Sequence, residues 1–350
     1  TGSYSRKQNY KVFKMEEKII SKQNLVKLCT DIIGGGHILI APGKTEYIVT
    51  QDASQIVLDT KSKPTKASYK TFVFPKAEPV LYYKRGKNDV QILDAGPEQK
   101  KTVIIGAKPC DTNSFNILSK VFNWDYKDDF YNYRVKNFIV IGMMCEFSDR
   151  YCFCTSVGSS PVSEKGADIF LIPLDADNFA VRIVTDKGKE FIDAYSKYLT
   201  DGNPSKSKEV SEKVKHPEVA FDSKQVHDWL AKNFEHPKWD GVGDMCLSCA
   251  QCAFVCPVCH CFDIVDEDYS YTEGRRMKNW DGCQFGHFTL HASGHNPRDI
   301  QGKRYRQRVN HKFKYYVDKF GEILCTGCGR CSRGCAVSID IKEIVANCKD

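Results

Sequence analysis

The chain has 350 residues, of which 41% are hydrophobic and 17 are cysteines, and its formal net charge is +7. This length suits about two domains with a full hydrophobic core, and no apolar run reaches the roughly 20 residues that a membrane-spanning helix needs. Without a secretory signal, so many cysteines indicate a compartment in which thiols stay reduced, and they disfavour a disulfide framework.

The beginning of the chain, residues 1–15, is predicted to be a leader or a disordered extension. Its first 14 residues contain four basic residues and no acidic one, and Met15 could begin the native chain. A vector remnant and the remainder of an organellar presequence are further interpretations, because presequences are basic and poor in acid. The predicted location is the cytoplasm, with the matrix of an anaerobic mitochondrion-related organelle as the alternative.

Residues 16–199 are predicted to form an α/β domain. Short apolar runs bounded by turn residues recur at 37–40, 102–106, 138–142 and 169–172, and a helical pattern covers 112–122. Strands that are apolar throughout are typical of a sheet covered by helices on both faces. The glycines at 34–36 lie between a helix and a strand, whereas a phosphate-binding loop needs the reverse order, so they are interpreted as a turn.

Four cysteines of this domain lie just beyond predicted strands. Cys110 follows the strand that ends at Gly106, and Cys145, Cys152 and Cys154 follow the strand that ends at Gly142. Open α/β sheets bind ligands at the carboxyl ends of their strands. If the two strands are parallel neighbours, these four cysteines converge on one edge of the sheet and predict a metal-cluster site. The alternative is that they are ordinary buried or loop thiols.

Residues 200–221 are polar and rich in Gly, Pro, Ser and Lys, which predicts a linker. Residues 222–350 are then predicted to form a mainly helical domain. Its first helix has Asp222 or Ser223 as the N-cap and ends before Pro237. The apolar face of this helix comprises Val226, Trp229, Leu230 and Phe234.

This second domain contains the same cysteine motif twice, first as Cys246, Cys249, Cys252 and Cys256, and again as Cys325, Cys328, Cys331 and Cys335. Three thiolates on one short loop can hold three corners of an iron–sulfur cube, and in two-cluster ferredoxins the fourth cysteine ligates the other cluster. The predicted ligand sets are therefore Cys246, Cys249, Cys252 and Cys335 for one 4Fe–4S cluster and Cys325, Cys328, Cys331 and Cys256 for the other. The second motif ends in Cys-Ala instead of the usual Cys-Pro.

Other metal sites are the alternatives to this interpretation. Zinc sites usually present cysteines as separated pairs, which neither motif does. Cys259, Cys261 and Cys283 form a rival set that could bind a metal with the help of His260, or could pack around the two clusters and tune them. Cys29 and Cys348 are predicted to have no role in a site.

A basic stretch separates the two motifs: residues 275–319 contain eleven Lys or Arg and three acidic residues. Three interpretations stay open. These residues could stabilise reduced, more negative clusters, dock an acidic redox partner, or form a solvated basic face. Nucleic-acid binding is the less favoured use of such a stretch.

Several shorter motifs accompany the cysteines, at residues 275–276, 280–283, 294–298, 306–308 and 311–313. Together with the two cysteine motifs they resemble the dicluster iron–sulfur subunits typified by the anaerobic sulfite reductase A subunit, a group that includes the sulfhydrogenase beta subunit. Lys108-Pro109-Cys110-Asp111 and Cys152-Phe153-Cys154 are similar to that family too, so the resemblance covers most of the chain.

The resemblance implies a subunit that is not catalytic on its own. Such subunits pass electrons between a flavin-containing subunit, which uses NAD(P)H or ferredoxin, and a hydrogenase or reductase catalytic subunit. The residues agree, because no general base is paired with a nucleophile and no dinucleotide or flavin motif is present. The alternatives are a catalytic subunit that acts directly on a redox substrate and, less favoured, a redox-sensing nucleic-acid binder.

The histidines at 287, 291, 295 and 311 are expected to form hydrogen bonds with cluster sulfurs or with loop backbone, and haem or metal ligation is the alternative.

Overall fold

The computed structural model describes residues 17–97 and 100–349, so the predicted leader at 1–15 lies outside the described residues. The strands are β1 (Glu17–Ser21), β2 (Ile38–Pro42), β3 (Tyr47–Thr50), β4 (Ala77–Arg85), β5 (Val90–Asp94), β6 (Thr102–Ala107), β7 (Phe138–Met143), β8 (Ile169–Pro173), β9 (Asn178–Ile183), β10 (Thr200–Asp201), β11 (Phe262–Asp268) and β12 (Glu273–Trp280).

The helices are α1 (Lys22–Gly34), α2 (Pro109–Phe122), α3 (Asp129–Lys136), α4 (Asp186–Asp193), α5 (Pro204–Glu212), α6 (Ser223–Lys232), α7 (Lys238–Met245), α8 (Gln251–Phe254), α9 (Gln301–Asn310), α10 (Tyr316–Phe320), α11 (Arg330–Arg333) and α12 (Ile341–Ala346). A π-helical segment, His311–Tyr315, joins α9 to α10. In the part of the chain that the structure describes, no helix is both long and apolar enough to cross a membrane.

The N-terminal region is built on an eight-stranded sheet with the order β10-β1-β9-β8-β7-β6-β2-β3. The four strands β2, β6, β7 and β8 are parallel, and the strands flanking them are antiparallel. All six residues of β6 are buried, because helices cover both faces of the sheet. Val103 and Ile105 pack with residues of α1 on one face, and Ile104 packs with residues of α2 and α3 on the other.

The predicted pattern of strands is confirmed in the N-terminal region, since β2, β6, β7 and β8 lie where the four apolar runs indicated them. The glycines at 34–36 form the turn between α1 and β2, and Gly36 has a φ of +81°. Helix α2 begins earlier than its apolar pattern indicated. Pro109 occupies its first turn, where a residue without an N–H loses no hydrogen bond, and Cys110 therefore lies on the helix.

The C-terminal region is helical around a core that includes Trp229, Trp239, Tyr305 and Val309. The sequence did not predict β11 and β12. They form a second, antiparallel sheet with β4 and β5 of the N-terminal region, in the order β11-β12-β4-β5. Charged residues of β11 and β12 pair across the ladder, Asp266 with Arg276 and Glu267 with Arg275, so the hydrophobic pattern gave no strand signal.

The polar segment at 200–221 contains β10 and α5, although its composition indicated a linker. Ser207 of α5 is fully buried and donates a hydrogen bond to Glu17 of β1. Strand β10 adds to the edge of the main sheet through backbone pairing with β1, which needs no apolar side chains.

The two regions pack closely against each other. Ile117 of α2 is buried with Ala253, Val258 and Leu324, and the Tyr316 hydroxyl donates a hydrogen bond to the Ile117 carbonyl at 2.5 Å. Helix α2 therefore holds the carboxyl edge of the main sheet against the cysteine-rich region.

Candidate iron–sulfur sites

The two cysteine motifs fold in the same way. In the first loop Ser248 and Ala250 have φ values of +58° and +54°, and in the second loop Gly327 and Gly329 have +65° and +70°. These are equivalent positions, two and four residues after the first cysteine of each motif. A one-turn helix follows at the same place in both, α8 and α11. The repeated cysteine spacing thus corresponds to a repeated backbone conformation in the two loops.

The first predicted ligand set lines one cavity. Cys246, Cys249, Cys252 and Cys335 all face it, together with apolar residues and Cys331. The amide of Gln301 donates to the Cys246 sulfur at 3.1 Å, and the backbone N–H of Ile339 donates to the Cys335 sulfur at 3.3 Å. Such N–H···S bonds stabilise charge on cluster sulfurs. The structure therefore brings together the four cysteines that the exchanged-ligand rule selected.

Cysteines of the second predicted set lie near a buried ammonium group. Lys312 lies in the π-helical segment, is 2% exposed and donates to the Cys256 sulfur at 3.3 Å and to the Leu324 carbonyl at 2.9 Å. Burial lowers the pKa of Lys312, but the nearby Cys256 and Cys259 sulfurs outweigh burial and raise the pKa above its ordinary value. Cys325 lies within electrostatic range of the same ammonium, so Cys256 and the second loop face one charge.

The sulfur positions do not suit a single metal ion. In the described ranges, 17–97 and 100–349, no three His, Cys, Asp or Glu residues are grouped so that they could hold one. A tetrahedral zinc with Zn–S distances of about 2.3 Å requires sulfurs within roughly 4 Å of each other. An iron–sulfur cube spreads its thiolates over its four corners and so needs a wider set.

The four N-terminal cysteines also line one cavity. Strands β6 and β7 are parallel neighbours, and Cys110, Cys145, Cys152 and Cys154 meet beyond their carboxyl ends. Phe153 lies between the last two, but it is 1% exposed and packs in the C-terminal core beside Phe221. Because the Phe153 ring is fixed in that core, Cys152 and Cys154 on either side of it face the cavity.

A buried cation, Lys108, and a half-buried one, Arg333, accompany this N-terminal set. Arg333 donates to the Cys152 sulfur at 3.2 Å, and Lys108 donates to the Asp59 and Thr60 carbonyls at 2.7 and 2.9 Å. Burial raises the pKa of Cys152 to about 11 and of Cys154 to about 12. Free thiols here stay protonated at neutral pH, so a metal or cluster would have to displace their protons on binding.

The three sets adjoin through the second motif. Cys328 lines the cavity of the four N-terminal cysteines, and Cys331 lines the cavity of the first motif. The Phe153 N–H donates to the Gly327 carbonyl at 2.9 Å, which joins the two loops directly. The second motif therefore lies between the other two sets.

Replacing Gly329 with alanine tests this junction. A Cβ there would lie 2.6 Å from the Tyr151 carbonyl oxygen, whereas Ala250 at the equivalent position already adopts a positive φ with a side chain. We expect Gly329→Ala to lower the free energy of unfolding by about 2–3 kcal/mol, measured by anaerobic urea unfolding. Ala250→Gly is the matched control and should change it by less than about 1 kcal/mol. Equal losses of stability in the Gly329 and Ala250 variants would contradict a close contact between the second cysteine loop and the segment around Tyr151.

The basic stretch is only partly at the surface. Lys278, Arg304, Arg306, Arg308 and Lys312 are all buried. Arg308, 2% exposed, donates to the Cys252 carbonyl at 2.9 Å and to the Cys259 sulfur at 3.5 Å. Burial of these five side chains corrects the interpretation of the whole stretch as one solvated basic face, and it favours charge stabilisation at the cysteine loops. The other six basic residues of the stretch are not buried, and docking of an acidic partner stays a prediction for them.

The sequence did not identify three buried polar residues that lie beside the cysteines. Arg330 and Asp111 pair at 2.8 Å, and each side chain is 2% exposed. Lys70 donates to the Cys259 carbonyl at 2.8 Å and lies 4.0 Å from the centre of the Trp280 ring. Arg330 and Asp111 each adjoin a predicted ligand in sequence, which was a usable signal, whereas nothing in the sequence around Lys70 indicated its role.

The remaining cysteines and histidines are divided between the core and the loops. Cys29 is buried in the core between α1 and the sheet, and Cys348 is buried in the C-terminal core. The His291 and His295 rings lie 5.3 Å apart, whereas the His311 ring lies 5.3 Å from His260. His311 thus pairs with His260, away from the His291 and His295 pair.

Two comparisons with known proteins bear on these sites. A family model described as a 4Fe-4S dicluster domain matches residues 245–339, the segment that contains both cysteine motifs. The chain is also 32% identical over 268 residues to a protein named sulfhydrogenase 2 subunit beta, from Pyrococcus furiosus. That match covers 75% of this chain and 78% of the relative, so it includes much of the N-terminal region as well.

Proposed function

Because the chain belongs to the family of dicluster 4Fe–4S electron-transfer subunits, we propose that it relays electrons within a larger oxidoreductase complex. The donor side in this proposal is a flavin-containing subunit linked to NAD(P)H or ferredoxin. The acceptor side is the catalytic subunit of a hydrogenase or of a sulfite reductase. The name of the Pyrococcus furiosus relative, a beta subunit of a sulfhydrogenase, supports the hydrogenase type.

The observation that carries the proposal is the contiguity of the cysteine sets. Cys328 and Cys331 belong to one short motif, yet they face two different cysteine-lined cavities. A one-electron carrier in each set would therefore have its neighbour one loop away, and no mobile carrier would be needed between them. This arrangement suits an electron relay, because the second motif lies between the other two cysteine sets, so electrons could enter at one outer set and leave at the other.

In this proposal Cys246, Cys249, Cys252 and Cys335 hold one 4Fe–4S cluster, Cys325, Cys328, Cys331 and Cys256 hold a second, and Cys110, Cys145, Cys152 and Cys154 hold a third. A bound cluster of this kind accepts and donates one electron at a time. The protein supplies the ligands, the N–H···S bonds and the buried cations that offset the negative charge of four thiolates.

The buried cations determine which oxidation state is favoured. Lys312 donates to the Cys256 sulfur, and Lys312 and Arg308 lie within electrostatic range of sulfurs from both motifs. Arg333, which is half-buried, contacts Cys152. Positive charge in a poorly solvated interior stabilises the more negative, reduced form of a nearby group. The side chains that the basic stretch buries therefore favour electron uptake.

Metal analysis of the full chain purified without oxygen tests the proposal. We expect about eight to twelve irons and as many acid-labile sulfides per chain, from four in each of two or three clusters, together with broad visible absorption. The isolated chain should accept electrons from a reduced viologen but should not oxidise NAD(P)H. A colourless protein with stoichiometric zinc would contradict the proposal, and turnover of a pyridine nucleotide by the isolated chain would favour the catalytic alternative.

The partners are tested by co-purification from the native source. We expect a flavoprotein and a hydrogenase or reductase subunit to remain attached at physiological ionic strength. The nucleic-acid alternative predicts salt-sensitive binding to DNA or RNA. The burial of Arg304, Arg308 and Lys312 argues against it, because those charges cannot reach phosphates.

A further inference from the structure

A short segment, residues 59–66, is fixed beside the N-terminal cysteine set. The Thr60 carbonyl accepts a hydrogen bond at 2.9 Å from the buried ammonium of Lys108. The Thr65 carbonyl accepts one at 2.6 Å from Arg330, which is also buried. Two buried cations, one from each region of the protein, therefore hold the two ends of this segment against the cysteine sites.

Three lysines give the same segment a positive surface. Lys61, Lys63 and Lys66 are exposed, whereas its two anchored threonines are buried. Pro64, which follows the second of these lysines, lines the cavity of the four N-terminal cysteines. In the part of the chain that the structure describes, none of the three lysines forms an ion pair. The segment therefore presents positive charge at the rim of that cavity.

Three carboxylates adjoin the segment, and each binds a group other than these ammonium groups. Asp59 accepts a backbone N–H of the segment at 2.9 Å, and Glu46 accepts the Ala67 N–H at 2.9 Å. The Thr60 hydroxyl donates to the Glu146 carboxylate. The three lysine ammonium groups therefore remain available to the carboxylates of another molecule.

The opposite end of the proposed relay has a different surface. Cys249 of the first motif is exposed, and the nearby exposed side chains of Met245 and Leu247 are apolar. Residues 245–252 contain no charged residue. The cores of stable subunit interfaces are depleted of charge, whereas complementary charges steer the encounter of separate molecules. The uncharged end therefore suits a subunit that stays bound, and the lysine-rimmed end suits a partner that comes and goes.

We propose that residues 59–66 form the docking site of an acidic one-electron carrier protein, an inference that rests on the proposed electron-transfer function. A carrier docked on these lysines lies next to the cavity of the N-terminal cysteines. One electron passes between the carrier and the proposed cluster in that cavity, so that one is oxidised as the other is reduced, and no bond is made or broken. Charge complementarity of this kind raises the association rate about 10- to 1,000-fold.

The test measures the binding of a ferredoxin of net negative charge to the full chain purified without oxygen. We expect the dissociation constant to rise steeply between about 0.01 M and 1 M salt, because the Debye length falls from about 30 Å to about 3 Å. At about 0.1 M salt the double variant Lys61→Glu with Lys63→Glu should raise the dissociation constant at least about tenfold. Its iron content and its reduction by a reduced viologen should stay unchanged, because neither lysine contacts a cysteine.

The matched control is Lys27→Glu with Lys101→Glu, which changes the net charge by the same amount. Both lysines are exposed. Lys27 lies on α1, and Lys101 directly precedes β6 at the amino edge of the sheet, opposite the edge that holds the cysteines. Charges farther from the docking site than the Debye length of about 10 Å at 0.1 M salt are largely screened, so the control should bind the ferredoxin nearly as well as the wild type.

Salt-independent binding would overturn the inference, as would equal weakening in the two double variants or no binding by the wild type. A DNA duplex that binds as tightly as the ferredoxin would also overturn it, because the lysines would then accept any polyanion. Failure of the proposed function looks different, because the wild-type chain would then contain no iron or would accept no electrons from the viologen.

Discussion

Replacing Arg330 with methionine is expected to lower the free energy of unfolding by about 3–5 kcal/mol, because it leaves Asp111 as an uncompensated buried charge. Both side chains are 2% exposed and pair at 2.8 Å. Arg330 also donates to the Thr65 carbonyl at 2.6 Å. The carboxylate oxygen of Asp111 that Arg330 does not contact, Oδ1, has no hydrogen-bond partner among the described residues. Anaerobic urea unfolding followed by circular dichroism measures the loss.

Two comparisons isolate the cause. The double variant Arg330→Met with Asp111→Asn should recover part of the lost stability, since the orphaned charge is then gone. Lys120→Met breaks another ion pair between α2 and the C-terminal region, with Glu322, but the two side chains are 41% and 28% exposed, so the cost should stay below about 1 kcal/mol. An Arg330 variant no less stable than the Lys120 variant would contradict the argument. Because Arg330 lies between Cys328 and Cys331, iron at the junction should fall as well.

Replacing Lys312 with methionine is expected to lower the midpoint potential of the proposed cluster at Cys256, Cys325, Cys328 and Cys331 by about 40–90 mV. The estimate takes a buried charge a few ångströms away, worth about 1–2 kcal/mol at a moderate effective dielectric, and converts it at 59 mV per tenfold for one electron. The sign follows because removing a positive charge destabilises the reduced, more negative form. Potentiometric titration monitored by electron paramagnetic resonance measures it.

Lys314 provides the matched control, because it lies in the same π-helical segment and pairs at 2.6 Å with a partly exposed carboxylate, that of Asp318. Lys314→Met should leave the potential nearly unchanged, and Lys312→Arg should keep most of the wild-type value. An unchanged or higher potential in Lys312→Met, with its iron retained, would show that the ammonium does not act on this cluster.

How far the sequence could predict the sites depends on how local each feature is. The cysteine spacing is fixed along the chain, so three predicted ligands on each loop follow from it directly, and the paired positive φ positions show that the two loops have the same backbone conformation. The N-terminal cysteines required one inference, that β6 and β7 are parallel neighbours, and the structure confirms it. The approach of Cys261 to Cys283 depends on the pairing of β11 with β12, which no hydrophobic alternation revealed.

The burial of the basic residues, in contrast, could not be predicted from the sequence. Composition counts charges but does not say which of them are desolvated, and Arg308 and Lys312 look no different in sequence from Lys303 and Lys314. Their positions four residues apart on α9 and its π-helical extension carry them to the cysteine face, while the Lys303 and Lys314 side chains are 37% and 24% exposed. Only the surroundings of each side chain separate a cation that tunes a buried site from one that meets solvent.

The sequence by itself determined the duplicated ligand loops, the apolar parallel strands and the family, because each depends on residue types at fixed spacing along the chain. The tertiary structure alone decided which loops adjoin and where the charges go. Docking α2 onto the C-terminal region places Cys328 beside the N-terminal cysteines and buries Arg330 against Asp111. Contacts between residues more than 200 positions apart, and the desolvation they bring, arise only when the two regions pack together.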